Sequence, residues 1–197
     1  VRAGTNGLMY FAGLAFDRAA TGFGKSAIYV ARFIDNNNQE AASPFEYINT
    51  SLVATQSASS NVFLDKPWMA VDIPRQGAGT CTITTSNEHG PFTQQLPAGN
   101  VYVAFTVKSE DSLGDRWDLY FSRSVDCGVH FSTPARISRA QDRVNQGASI
   151  VISPTTGDVF VSWRRIDLDS TDMVEEHAIV VARSVDKGNK FSNPGGA

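Results

Sequence analysis

One nine-residue frame occurs twice in this chain: RSVDCGVHF, Arg123 to Phe131, and RSVDKGNKF, Arg183 to Phe191. The copies keep Arg, Ser, Val, Asp, Gly and Phe and vary the rest, and that selects a turn. An Asp with a Gly two places on can bond its carboxylate to backbone N–H groups just ahead, while the Gly takes the positive φ that other residues resist. The final Phe ties the turn to a core. The flanks repeat as well: GNVYVAFT (Gly99 to Thr106) precedes the first copy and GDVFVSWR (Gly157 to Arg164) the second. A worn third copy lies upstream, where GLMYFAGL leads to YVARFIDNN and places Arg32 and Asp35 where Arg123 and Asp126 fall. A chain that repeats itself at such a period is a repeat protein.

Between the turns, the runs LMYFAGLAF, SAIYVARFI, PWMAVDI, NVYVAFTV, DLYFSRSV, ASIVISP, DVFVSWRR and AIVVARSV are short and rich in β-branched and aromatic residues. Gly, Pro, Asn, Asp and Ser separate them, and no 3.6-residue apolar period persists, so the chain is all-β. Four antiparallel strands per repeat fit the blade of a β-propeller. Residues 1–60 form a first blade whose opening strand is not visible, residues 61–140 a complete second, and residues 141–197 a third that stops as its last strand begins. About three blades, against the four to eight of a closed ring, predict a partial propeller or half of a six-bladed homodimer. A chain that starts at Val1 also reads as processed, or as a piece of something longer.

Composition narrows the partners. A net charge of −3 with scattered Lys and Arg gives no basic footprint for nucleic acid and no cationic face for a membrane. The run Leu8 to Phe16 is too short to span a bilayer. No Gly-x-Ser-x-Gly elbow, P-loop or His-Glu-x-x-His is present.

The S-x-D-x-G-x-x-F turns, Ser124/Asp126/Gly128/Phe131 and Ser184/Asp186/Gly188/Phe191 with the degenerate Asp35/Asn37, together with DKPWMAVD (Asp65 to Asp72) leading into a G-x-V-Y-V-A strand, resemble the Asp-box (BNR) repeats of sialidase-like β-propellers. The resemblance covers nearly the whole chain. It implies structural Asp boxes and a function on glycans, either as a glycoside hydrolase or as a non-catalytic carbohydrate- or protein-binding module. Sialidases use a Tyr nucleophile with a Glu, an Asp acid/base, and three Arg that grip a carboxylate. Here Tyr10 and Tyr102 share one repeat position with Phe160, Tyr29 and Tyr120 share another with Val180, and Arg32, Arg123 and Arg183 recur once per blade, all of which points to packing. The Phe-Arg-Ile-Pro motif of sialidases is absent from the sequence.

In such a blade the Asp boxes mark one end, and a functional mouth belongs at the other, among the B–C loops and the crossovers between blades. The non-recurrent charges gather there. Asp65 is the candidate acid/base, and Arg143, Arg164 and Arg165 with Trp117 are the candidate substrate-binding set. No cofactor is expected; oxygens at Asp167, Asp169 and Asp172 offer only a weak calcium pattern, without the Gly and distal Glu of an EF-hand loop. Cys81 and Cys127 fall at the box end of one blade, where a disulfide fits best. Free thiols, or zinc held with His89 and His130, are the alternatives. A disulfide implies an oxidising location: secreted, periplasmic or cell surface.

Overall fold

The structure, a computed structural model, describes residues 1–18, 24–35, 44–58, 61–87, 90–167, 176–192 and 195–196. Every regular element among these residues is a strand, so none is a helix able to cross a membrane. The first sheet holds β1 (Arg2–Ala3), β2 (Leu8–Phe16), β3 (Ser26–Asp35) and β4 (Phe45–Gln56), antiparallel and side by side in chain order. A second meander begins with β5 (Val62–Val71). After an inserted hairpin of β6 (Thr80–Asn87) and β7 (Gly90–Pro97), it continues through β8 (Val101–Asp111), β9 (Gly114–Ser124) and β10 (Ala135–Arg136). A third runs β11 (Val144–Ile152), β12 (Val159–Asp167), β13 (Glu176–Ser184) and β14 (Gly195–Gly196). One parallel bridge, Val144 to Trp117, joins the second unit to the third.

Three features differ from the sequence expectation. Arg2–Ala3 pairs with Met9 and Tyr10, supplying a short first strand where none is visible in the sequence. The long connection after β5 is a hairpin, whose alternation buries Cys81, Ile83 and Thr85 on one side. Asp35 is still in strand β3, paired with Phe45, rather than in a box turn. The residue two before it is Phe33, which has no hydroxyl to cap a turn, and Asn37 lies outside the described residues.

The cores lie between units. Tyr10, Ile28 and Val30 of the first unit bury against Val101, Val103 and Phe105 of the second. Tyr102, Leu119 and Phe121 of the second bury against Val159, Val161 and Trp163 of the third. Alternation along each strand sends neighbouring side chains to opposite faces, so a middle unit feeds both cores at once. Phe105 and Trp163 hold the same repeat position and are each fully buried. Side chains of this kind contribute about 1.5–3 kcal/mol apiece.

The two box turns close β9–β10 and β13–β14. Ser124 Oγ donates to Asp126 Oδ1 (2.6 Å) and accepts from the Gly128 amide (2.8 Å), while Asp126 Oδ1 accepts from the His130 amide (3.0 Å). In the second copy Ser184 Oγ donates to Asp186 Oδ1 (2.8 Å) and accepts from Gly188 (2.9 Å), and Asp186 Oδ1 accepts from the amides of Asn189 and Lys190 (3.0 and 2.9 Å). Burial is the largest influence on the Asp126 carboxyl and would raise it; the His130 amide, the Ser124 hydroxyl and the His130 ring outweigh burial and hold it below its ordinary value. Asp186 is also held low, chiefly by the Lys190 amide and then by Ser184. A further anchor escapes the sequence reading: the hydroxyls of Ser132 and Ser192, directly after each Phe, accept from the amides of Arg123 and Arg183 (both 3.1 Å).

The boxes are also where units meet. Arg32 Nη1 donates to the Cys127 carbonyl (3.2 Å) of the next unit's box, and Arg123 Nη1 donates to the carbonyls of Asp186 (3.2 Å) and Lys187 (2.9 Å). A Cβ on Gly128 would meet Tyr10 at 3.1 Å, and one on Gly188 would meet Phe121 at 2.7 Å and Tyr102 at 3.4 Å. The recurring Arg and Tyr, with Phe121 at the second box, thus form a close-fitting cradle for each glycine. Desolvation in that cradle pushes the Tyr10 and Tyr102 hydroxyls up to about 12. Phe131 packs on the first core and Phe191 on the second, edge-on to Phe121 at 4.7 Å. A Cys81–Cys127 disulfide, with Cα atoms 6.1 Å apart, fastens the β6–β7 hairpin to the first box. The described residues contain no free cysteine.

Candidate functional site

The end opposite the boxes is built from the start of β5, the β8–β9 turn, the start of β11, the end of β12 and the start of β13. Two strands bulge there at equivalent positions. The β5 register shifts between Asp65 and Trp68, with Lys66 at φ 49°, and the β11 register shifts between Gln146 and Ser149, with Gly147 at φ 72°. Bulges re-aim side chains, and these two point the Asp65–Lys66 and Gln146 side chains toward one another. Lys66 Nζ donates to Gln146 Oε1 (2.8 Å).

Asp65, the candidate acid/base, lies between two ammonium groups: Lys108 Nζ at 2.8 Å and Lys66 Nζ at 3.7 Å from Oδ2. Lys108 in turn stands over the Trp117 ring, 4.5 Å from its centroid, with Lys66 at 6.0 Å. Cation–π attraction and the carboxylate therefore hold both lysines over the ring of one half-buried indole. Trp117 is fixed through its backbone, its N–H donating to the Arg143 carbonyl (2.7 Å) and its carbonyl accepting from Asn145 Nδ2 (3.1 Å). Asn145 is fully buried and fully employed, since its Oδ1 accepts from Trp163 Nε1 (2.9 Å). A satisfied buried amide of this kind rigidifies its surroundings.

The other predicted residues are dispersed. The Arg143 guanidinium binds Asp111 (2.7 and 3.2 Å) and the carbonyls of Gly114 and Asp115, which clamps the β8–β9 turn beside Trp117 and holds the Asp111 carboxyl below its ordinary value. Arg164 turns away to the His177 ring, with Nη2 2.9 Å from Nε2 and 3.2 Å from Nδ1. Arg165 sits half-buried in β12, in register with Asn145. The structure thus brings Asp65 and Trp117 together, with Arg143 anchoring the adjacent turn, and engages Arg164 with His177 instead. Asp169, Asp172 and His89 lie outside the described residues, and Asp167 closes β12 opposite Glu176. The described residues hold no group of three or more His, Cys, Asp or Glu able to bind a metal. His130, the other candidate zinc ligand, instead bonds Asp126 through Nδ1 (2.7 Å).

Sequence reasoning missed Lys66, Lys108, Asn145 and Gln146. Only Asn145 left a signal: it stands where the second unit has the buried Leu64, a polar residue at an apolar repeat position.

No protein-family model matches the chain, and neither a curated protein nor a solved structure matches it.

Proposed function

We infer that this chain is a set of sialidase-like, Asp-box β-propeller blades that binds glycans through the end opposite its box turns, in a secreted, periplasmic or cell-surface setting. The observation that carries this reading is the Trp117 indole with the Lys108 and Lys66 ammonium groups over its ring, next to two β-bulges. A half-exposed indole offers apolar surface to a sugar ring, and the ammonium groups over it suit a carboxylate-bearing sugar. The Cys81–Cys127 disulfide supports an oxidising location.

Binding is favoured over hydrolysis because Asp65 engages two lysines and positions them. The hydrolase reading keeps Asp65 as its acid. A glycan array with the parent chain, followed by titration of any hit against Trp117→Ala and Lys108→Ala, tests the first reading: affinity should fall at least about tenfold for each, the scale of a lost anchor. Release of a chromogenic aglycone by the parent and not by Asp65→Asn would establish the second. An array that stays blank, together with no turnover, refutes both.

A further inference from the structure

The same side chains that are buried in the first and second units lie bare in the third. Leu119 and Phe121 of β9 are 0% and 3% exposed, covered by the third unit; their counterparts in β13, Ile179 and Val181, are 63% and 45% exposed. Ala70 of β5 is 7% exposed, and its counterpart in β11, Val151, is 62% exposed. The box cradle is repeated there too. Where Tyr10 with Arg32 receives Gly128 and Tyr102 with Arg123 receives Gly188, the third unit offers Phe160 and Arg183. Arg183 stacks 5.7 Å from the Phe160 ring and reaches back to Asp158 of its own unit (Nε to Oδ2 2.9 Å), whereas Arg32 and Arg123 reach forward.

The opposite face of the first unit is uncovered as well. Val103 of the second unit and Val161 of the third are fully buried, yet Phe11, which holds their position, is exposed at 42%, with the Tyr29 ring beside it and Leu52 exposed at 62%. The molecule therefore carries a vacant forward face and a vacant backward face, each the counterpart of one side of an interface it already makes twice.

We propose that these faces dock on each other between two copies of this chain, head to tail, with Phe11, Tyr29 and Leu52 of one copy covering Val151, Ile179 and Val181 of the other. The occupant is chosen by continuity: the two internal interfaces join a forward face to the backward face of the next unit, and a second copy presents that backward face. A heterologous contact of this kind closes when the rotation per unit permits. Two chains of three units make six, within the range of closed rings. Closure rests on the propeller reading above, while docking rests on the exposure pattern alone.

Sedimentation velocity of the 197-residue chain, from about 1 to 100 μM, reads the outcome directly. The expected result is a plateau at twice the 21.3 kDa chain mass. Val181→Asp and Leu52→Asp, both at exposed positions, should each give a monomer with the parent's far-UV circular dichroism. An equimolar mixture of the two variants should regain part of the pairing, because one intact forward face then meets one intact backward face. A parent that stays monomeric throughout overturns the proposal. A dimer in which the mixture regains nothing also overturns it, since that is the behaviour of a symmetric interface. Mass that grows without a plateau overturns closure and the propeller reading with it. Glycan binding, measured separately, reports on the Trp117 site and not on this face.

Discussion

Replacing Gly188 by Ala tests whether the box glycines are set by backbone geometry or by the cradle that receives them. Gly188 has φ 75°, and an added Cβ would lie 2.7 Å from Phe121 and 3.4 Å from Tyr102. Gly114, at the tip of the β8–β9 turn, has φ 96° and nothing within 4 Å of such a Cβ. Both substitutions carry the conformational penalty of a left-handed residue, about 1–2 kcal/mol. Only Gly188→Ala adds overpacking, about 1–3 kcal/mol, because Phe121 is fixed between Gly188 and Phe191 in the second core. The expected loss is about 3 kcal/mol for Gly188→Ala against about 1 kcal/mol for Gly114→Ala. Gly128→Ala should fall between them, since its Cβ would meet Tyr10 at 3.1 Å. Urea unfolding of the parent and the three variants, with a shared m-value, measures this. Backbone strain is no smaller at Gly114 than at Gly188, so equal losses at the two sites would refute the cradle argument.

The Cys81–Cys127 bond closes a 46-residue separation, for which loop entropy predicts a loss of about 4 kcal/mol on removal. The Cys81→Ala/Cys127→Ala double variant, unfolded in urea beside the parent, checks that figure, and a loss under about 1 kcal/mol would show that the hairpin is held by packing alone. Tyr10 and Tyr102 keep their hydroxyls protonated up to about 12, against an ordinary value of 10.0. A raised value in the folded state means that their contribution is fully present below pH 10 and is lost as pH climbs toward 12. The loss is about 2–3 kcal/mol per tyrosine, and Tyr102→Phe should flatten the alkaline slope of stability measured by denaturant titration.

Legibility followed periodicity. The recurring turns and the β-rich runs could be read because each repeats, and repetition separates packing from chance. What did not repeat was harder. The β6–β7 hairpin occurs in one unit only, and its Thr-rich, weakly apolar strands resemble a loop until the disulfide and the first core give Cys81 and Ile83 something to bury against. Strand β1 is two residues long, too short for any alternation to register. Among the candidate residues, Trp117 and Arg143 stand out in the sequence because they are singular. The contacts of Asp65 could not be seen without Lys108, which lies 43 positions away in sequence and beside it only after β5 and β8 pair. Arg164 and Arg165 group in the sequence with the non-recurrent loop charges, although both lie within β12, where adjacent residues face opposite ways.

Because each hydrophobic core is shared by two neighbouring units, no single unit owns one. A four-stranded layer on its own would leave both faces in water and gain little to set against its chain entropy. Folding must therefore begin with two layers closing on each other, and the middle layer, party to both cores, becomes the nucleus on which the outer ones condense. Cooperativity in this chain runs across the layers and not along them.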